Sequence, residues 1–214
     1  MINEMTWNEA KDHVVYQLHN VNFYDEKVLN KIKYYTAHFC EDIMMVFYVD
    51  LSGDLDGKNL IMITKNHLKK WGVDIETVAD TAYKNFNDMD LLIGEYNIQT
   101  GEVDYDIELE DGIKKIYQTS CPNNVYGGQI AKNNVLSDLY NWIGSRFYFT
   151  LLDSNIAHIY PEYLIDNEVL EDINRTVNES IITHNIFYFN GEEIMLDDIN
   201  YIGNSFDETI KSAS

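Results

Sequence analysis

Arginine is nearly missing from this chain: its 214 residues hold Arg146 and Arg175 and no other. Arginine is the side chain most used to grip phosphate. Its scarcity is part of a charge balance that repels nucleic acid. Proline is as rare, with two, and no Pro/Gly-rich stretch marks a linker. Cys40 and Cys121 lie far apart with no Cys-x-x-Cys, which fits free thiols in a cytosolic protein. On that reading the sequons at Asn174 and Asn178 carry no glycan. No apolar run approaches the roughly 18–20 residues of a membrane span, and the start, Met1-Ile-Asn-Glu-Met-Thr6, lacks the basic and apolar regions of a signal peptide. There is no Gly-rich phosphate loop and no internal repeat.

What the chain has in excess is negative charge. Thirty-six Asp and Glu face 15 Lys and Arg, a formal net charge of -21. From Asn85 to Ile113 there is no Lys or Arg at all. Inside that stretch Glu102, Asp104, Asp106, Glu108 and Glu110 alternate with Val103, Tyr105, Ile107 and Leu109. At strand period this places five carboxylates on one face and four apolar groups on the other. Successive carboxylates would stand roughly 6.7 Å apart, the scale of successive phosphates on a nucleic-acid strand. The ordinary alternative is an exposed hairpin whose charges guard its edge against aggregation. Such a balance repels nucleic acid and anionic membranes, and suits basic partners, divalent cations or plain solubility.

Hydrophobic content of 45% is enough for a core despite the charge. Thr6-Trp-Asn-Glu9 reads as a capping box, predicting a helix to about His19. Strands are expected over 31–39, 43–51 and 59–63, the second a continuous apolar run typical of a central strand. Helices are expected from Asn66 to Gly72, from Ile75 to about Asn85, over 125–144 and over 167–180. Further strands are expected at 91–97, 102–109, 113–119, 146–152, 157–160, 185–190 and 193–196, the last two joined by Asn190-Gly191, a strong hairpin signal. The fold class is α+β: an antiparallel or mixed sheet with about four packed helices in a single domain. The expected layout is an N-terminal helix and first strand over 1–39, a main α+β domain over 40–200 and a frayed tail over 201–214.

The run Leu60-Ile-Met-Ile-Thr-Lys-Asn-His-Leu-Lys-Lys-Trp-Gly-Val73 resembles a segment of an uncharacterised Firmicutes family of unknown function related to the YtpQ-like proteins. In that family a strand enters a short H-L-x-x-W-G-V helix. Tyr126-Gly127, Arg146-Phe-Tyr-Phe149, Leu170 to Asn178 and Phe187-Tyr-Phe189 have counterparts too, so the resemblance covers roughly residues 40–196. It implies a fold and no enzymatic activity. The chain departs from the family near Ser154-Asn-Ile-Ala-His158, where members tend to carry Ser-x-His-Glu and this sequence has Ile156-Ala157.

The remaining motifs are weak. Ser52-x-Asp54-x-Asp56-Gly57 echoes a calcium loop, but Ile63 stands where the bidentate Glu is required. Gly127-Gly128-Gln129 matches the triplet of translation release factors, but a chain this acidic is repelled by ribosomal RNA. His13, His19, His38, His67, His158 and His184 form no His-x-x-x-His pair, so no zinc site is expected. Lys65, Lys69 and Lys70 read as a solvated helix face. No catalytic, cofactor-binding or metal residues are assigned.

The expectation is a non-enzymatic acidic interaction protein of the bacterial or phage-infected cytoplasm. Its partner would be a basic protein surface, in the sharpest version that of a nucleic-acid-handling enzyme inhibited in the manner of an anti-CRISPR. The alternatives are a small hydrolase or metal-dependent enzyme built from distant Asp, Glu and His, and a bacterial accessory protein.

Overall fold

In the computed structural model, residues 4–32, 36–52, 59–87, 92–105, 115–120, 129–131, 134–153 and 156–197 are described. The expected tail over 201–214 lies outside them.

The capping box forms, but the helix it starts is one turn long. Glu9 accepts from the Thr6 N–H at 2.7 Å and from its hydroxyl at 2.8 Å. Helix α1 (Trp7–Ala10) then tightens into a 3-10 turn (Lys11–His13) and gives way to strand β1 (Val14–Asn20). This corrects the helix expected to His19. Val14, Val15 and Leu18 fit a helical stripe, but Tyr16 between them is fully buried as well. Burial on both faces favours a strand rich in β-branched and aromatic side chains. The next segment also differs from expectation. Asp25 accepts from the Val28 N–H at 2.8 Å and opens α2 (Glu26–Ile32), which precedes β2 (Thr36–Cys40).

Strand β3 (Ile43–Asp50) is buried at every residue, as its apolar run predicts. It pairs along its length with β1, from Val14↔Val49 to Asn20↔Ile43. Its other edge is shared by β2 and by β4 (Leu60–Met62). Helices α3 (Lys65–Trp71) and α4 (Ile75–Asn87) follow, separated by Gly72 in the left-handed region at φ 68°.

The second sheet has seven strands. These are β5 (Leu92–Tyr96), β6 (Val103–Asp104), β7 (Ile116–Ser120), β8 (Phe147–Leu151), β9 (Ala157–Pro161), β10 (Ile186–Phe189) and β11 (Ile194–Asp197), in the order β11-β10-β8-β9-β7-β5-β6. Helix α5 (Val135–Ile143) precedes β8, and α6 (Asn167–Glu179) joins β9 to β10. Every pairing in both sheets is antiparallel. The protein is therefore α+β, with two sheets in place of one and six helices among the described residues. The helix expected over 125–144 begins only at Val135, behind Asn134 at φ 69° and a 3-10 turn at Gln129–Ala131. The Gly127-Gly128 pair lies outside the described residues.

Register sorts the seven-stranded sheet into two faces. Tyr117, Ile159, Phe149 and Phe187 stand in one row across β7, β9, β8 and β10. They belong to the large core that also holds Tyr16, Val46 and Phe47 of the first sheet. Trp142 of α5 lies 4.5 Å from Tyr117, ring to ring, while Ile130 and Leu139 are buried beside it. The opposite face, with Ile116, Tyr148, Tyr160 and Tyr188, packs with Val169, Leu170 and Ile173 of α6 in a second cluster. Burying each such side chain contributes about 1.5–3 kcal/mol. A polar staple joins the sheets: Asp42 accepts from Asn20 Nδ2 at 2.6 Å, Thr183 Oγ1 at 3.0 Å and Asn185 Nδ2 at 2.9 Å.

Candidate functional site

The acidic segment begins at the outer edge of the seven-stranded sheet. Hairpin β5–β6 turns through residues 97–101, with the Gly101 N–H donating to the Asn97 carbonyl at 2.8 Å and Gly101 at φ 73°. Glu95 faces Asp104 directly across the strands. Glu102 follows on the same face, its carbonyl accepting from the Asn97 N–H at 3.0 Å. Glu102 and Asp104 are exposed. Together with Glu95, Asn97 and Val103 they line an open recess of about 590 Å³. Lys115 forms an ion pair with Glu95. Asp106, Glu108 and Glu110 lie outside the described residues, so two of the five expected interaction residues are placed.

Tyr105, expected on the apolar face, reaches back over the sheet. Its hydroxyl bonds to Ser120 Oγ at 3.0 Å and accepts from Gln118 Nε2 at 2.9 Å. Gly94, opposite it on β5, makes this crossing possible. A Cβ there would sit 2.8 Å from Tyr105 Cδ1 and 2.4 Å from Val103 Cγ1, closer than packing allows.

Behind Gln118 a buried network runs across the sheet to α6. Gln118 spends its amide N–H on Tyr105, so its oxygen accepts from His158 Nε2, at 2.9 Å. That fixes the tautomer and leaves Nδ1 as an acceptor facing Tyr160 Oη at 3.3 Å and Thr176 Oγ1 at 3.5 Å. Burial, with the Arg175 charge nearby, pushes the imidazole down to about 4. His158 is therefore neutral at physiological pH. Tyr160 donates to Asp172 Oδ2 at 2.9 Å. The other oxygen, Oδ1, accepts from Arg175 and, at 3.4 Å, from Tyr96. Burial raises the Asp172 pKa, and the hydrogen bond from Tyr160 and the Arg175 charge oppose it. Arg175 also donates to Tyr96 Oη at 3.0 Å and to the Ile98 carbonyl at 3.3 Å. The Tyr96 ring covers His158, centroid to centroid 4.1 Å. A cleft of about 380 Å³ opens between this network, the β5–β6 turn and the end of α6. Alternation made the acidic edge visible in the sequence. The cleft draws on β5, β7, β9 and α6, and only the register aligns Gly94, Gln118 and His158.

The model of a family of unknown function (DUF5688) matches residues 1–185. The chain belongs to that family. No curated protein and no solved structure matches it. Within the residues matched to DUF5688 lies the segment 60–73, and its side chains have structural roles. His67 Nδ1 accepts from the Thr64 N–H at 3.0 Å, capping α3. The His67 ring stacks on Trp71 at 5.4 Å. Trp71 donates its indole N–H to the Met5 carbonyl at 3.0 Å and meets Trp7 at 5.6 Å. Gly72 closes the helix. These contacts tie the N-terminal segment to α3.

The other histidines are dispersed. His19 sits between Tyr24 Oη at 2.7 Å and Tyr48 Oη at 3.0 Å. His38 and His184 contact the backbone carbonyls of Glu41 and Val177. Among the described residues no group of three or more His, Cys, Asp or Glu is arranged to hold a metal. Cys40 is buried, and desolvation raises its thiol pKa far above the ordinary value, which disfavours the thiolate. Cys121 lies outside the described residues. No described helix is long and apolar enough to cross a membrane.

Proposed function

We propose that this protein is an acidic binding module that docks a basic protein surface through the outer edge of β5–β6. The observation that carries this reading is the cross-strand pair Glu95–Asp104 with Glu102 beside it. Glu95 is held by Lys115, and Glu102 and Asp104 are exposed. Here they are kept at an edge where solvent and a partner have access. In its sharpest form the partner is a nucleic-acid-handling enzyme with a phosphate-binding groove, and the protein is a cytoplasmic inhibitor of phage or mobile-element origin. Kinship with the YtpQ-like proteins of Firmicutes belongs to the same proposal and rests on Leu60–Val73.

The competing reading is a small enzyme, favoured by Asp172 and His158 sharing one buried network. Against it, both His158 nitrogens are engaged, Nε2 as a donor to Gln118, and Asp172 accepts on both oxygens. Neither presents a free base to a substrate.

Cross-linking in cells followed by mass spectrometry tests the proposal. The expected result is a basic partner linked near residues 95–105, lost in the Glu102→Gln/Asp104→Asn variant. Recovery of the same partner by that variant would refute it.

A further inference from the structure

The cleft beside α6 has a charge pattern of its own. Arg175 and Glu179 stand one helical turn apart and both line it. The Arg175 guanidinium is committed to Asp172, Tyr96 and the Ile98 carbonyl. Asp172 accepts from donors on both oxygens, so it is present as the carboxylate and cancels that cation. His158 at the floor is neutral and donates to Gln118. What remains is the Glu179 carboxylate, with no Lys among the lining residues. At the mouth, Gln99 spends its amide N–H on Glu168 Oε1 at 3.1 Å, which leaves its carbonyl oxygen to accept. The Thr176 hydroxyl and the apolar stem of Leu152 complete the wall. An anion entering this space meets the Glu179 carboxylate, which together with Asp172 outweighs the one guanidinium that both act on. A cation meets that carboxylate, neutral oxygen acceptors and an apolar contact for its stem.

We infer that the cleft between the β5–β6 turn and the end of α6 is a binding site for a small organic cation, a guanidinium or primary ammonium on an aliphatic stem. This deepens the proposed function, because a basic partner supplies such groups from its own side chains. A free basic amino acid is the other source.

The test is titration of the isotope-labelled protein with three probes followed by NMR: N-acetyl-arginine amide, free arginine and N-acetyl-glutamine amide. The expected result is saturable shifts centred on Gln99, Thr100, Gly101 and Gln118 with an arginine probe, and none with the neutral glutamine probe. Binding of the capped arginine identifies a protein side chain as the occupant, and binding of free arginine alone identifies a metabolite. Glu179→Gln, an exposed change, should weaken binding by about fivefold or more. Glu171→Gln, exposed on the same helix but outside the cleft, should leave it unchanged. Equal binding of the glutamine probe, scattered shifts, or equal loss in the two variants would overturn the inference. Failure of the cationic site leaves the acidic-edge reading standing. Conversely, arginine binding at the cleft with no partner cross-linked near residues 95–105 separates the two in the other direction.

Discussion

The two faces of hairpin β5–β6 follow opposite rules. On the face toward α6, Gln118 donates to Tyr105 and accepts from His158, and Tyr160 donates to Asp172, in a network buried from Gln118 onward. On the other face, Glu95, Glu102 and Asp104 crowd like charges around an open recess. One face spends its polar groups on itself, which fixes geometry. The other gathers carboxylates at an open edge, Glu95 among them in an ion pair with Lys115, where exposed charge contributes little to stability and much to encounter rates. A residue's place in the register decides which rule applies. Tyr105 and Asp104 are neighbours in sequence on opposite sides of this boundary.

The largest effect that would break the comparison is pH-dependent. The folded-state pKa of His158 is pushed down to about 4 from 6.5. A depressed histidine stays neutral in the fold while the unfolded chain takes up a proton. Its contribution is therefore complete above pH 6.5 and is lost as pH falls toward 4, by about 3 kcal/mol in all. Urea unfolding of the wild type and of His158→Gln across this window checks it. The variant should show a shallower pH slope, and parallel slopes would place His158 outside the coupled network.

Next in size is Gly94→Ala. The added Cβ meets Val103 Cγ1 at 2.4 Å and Tyr105 Cδ1 at 2.8 Å. Displacing Tyr105 should destabilise the protein by about 1–3 kcal/mol. It should also raise hydrogen exchange at β6 and β7, whereas unchanged protection would mean that Tyr105 does not anchor the edge. Tyr105→Phe keeps the ring and removes the hydroxyl shared by Ser120 and Gln118. The expected loss is about 1 kcal/mol, readable as a lower midpoint of urea unfolding.

Much of this fold was legible in the sequence where one periodicity had no rival. The apolar run of β3, the start of α4 at Ile75 and the Asn190-Gly191 hairpin fall where their residues place them. The reading failed where the apolar spacing fits two periods at once. Val14-Val-Tyr-Gln-Leu18 fits a helical stripe and a strand equally, and only pairing with Met45–Val49 decides. Asn134 in the left-handed region delays α5 for a reason no propensity reveals. Of the candidate site, the carboxylates at Glu102 and Asp104 were visible because alternation is local. The His158 network was not. Its members come from four elements, and a lone histidine in an apolar strand carries no signal of the Gln118 and Asp172 that surround it.

The smallest expected effect on stability coincides with the largest expected effect on function. Glu102→Gln/Asp104→Asn should change unfolding free energy by no more than about 0.5 kcal/mol. The most direct test of the central claim is the association rate of the cross-linked partner with wild type and with this variant, measured from low to high salt. The account predicts a wild-type rate that falls steeply as salt rises, and a variant rate that is slower at low salt and nearly flat. Two superimposable salt profiles would contradict it.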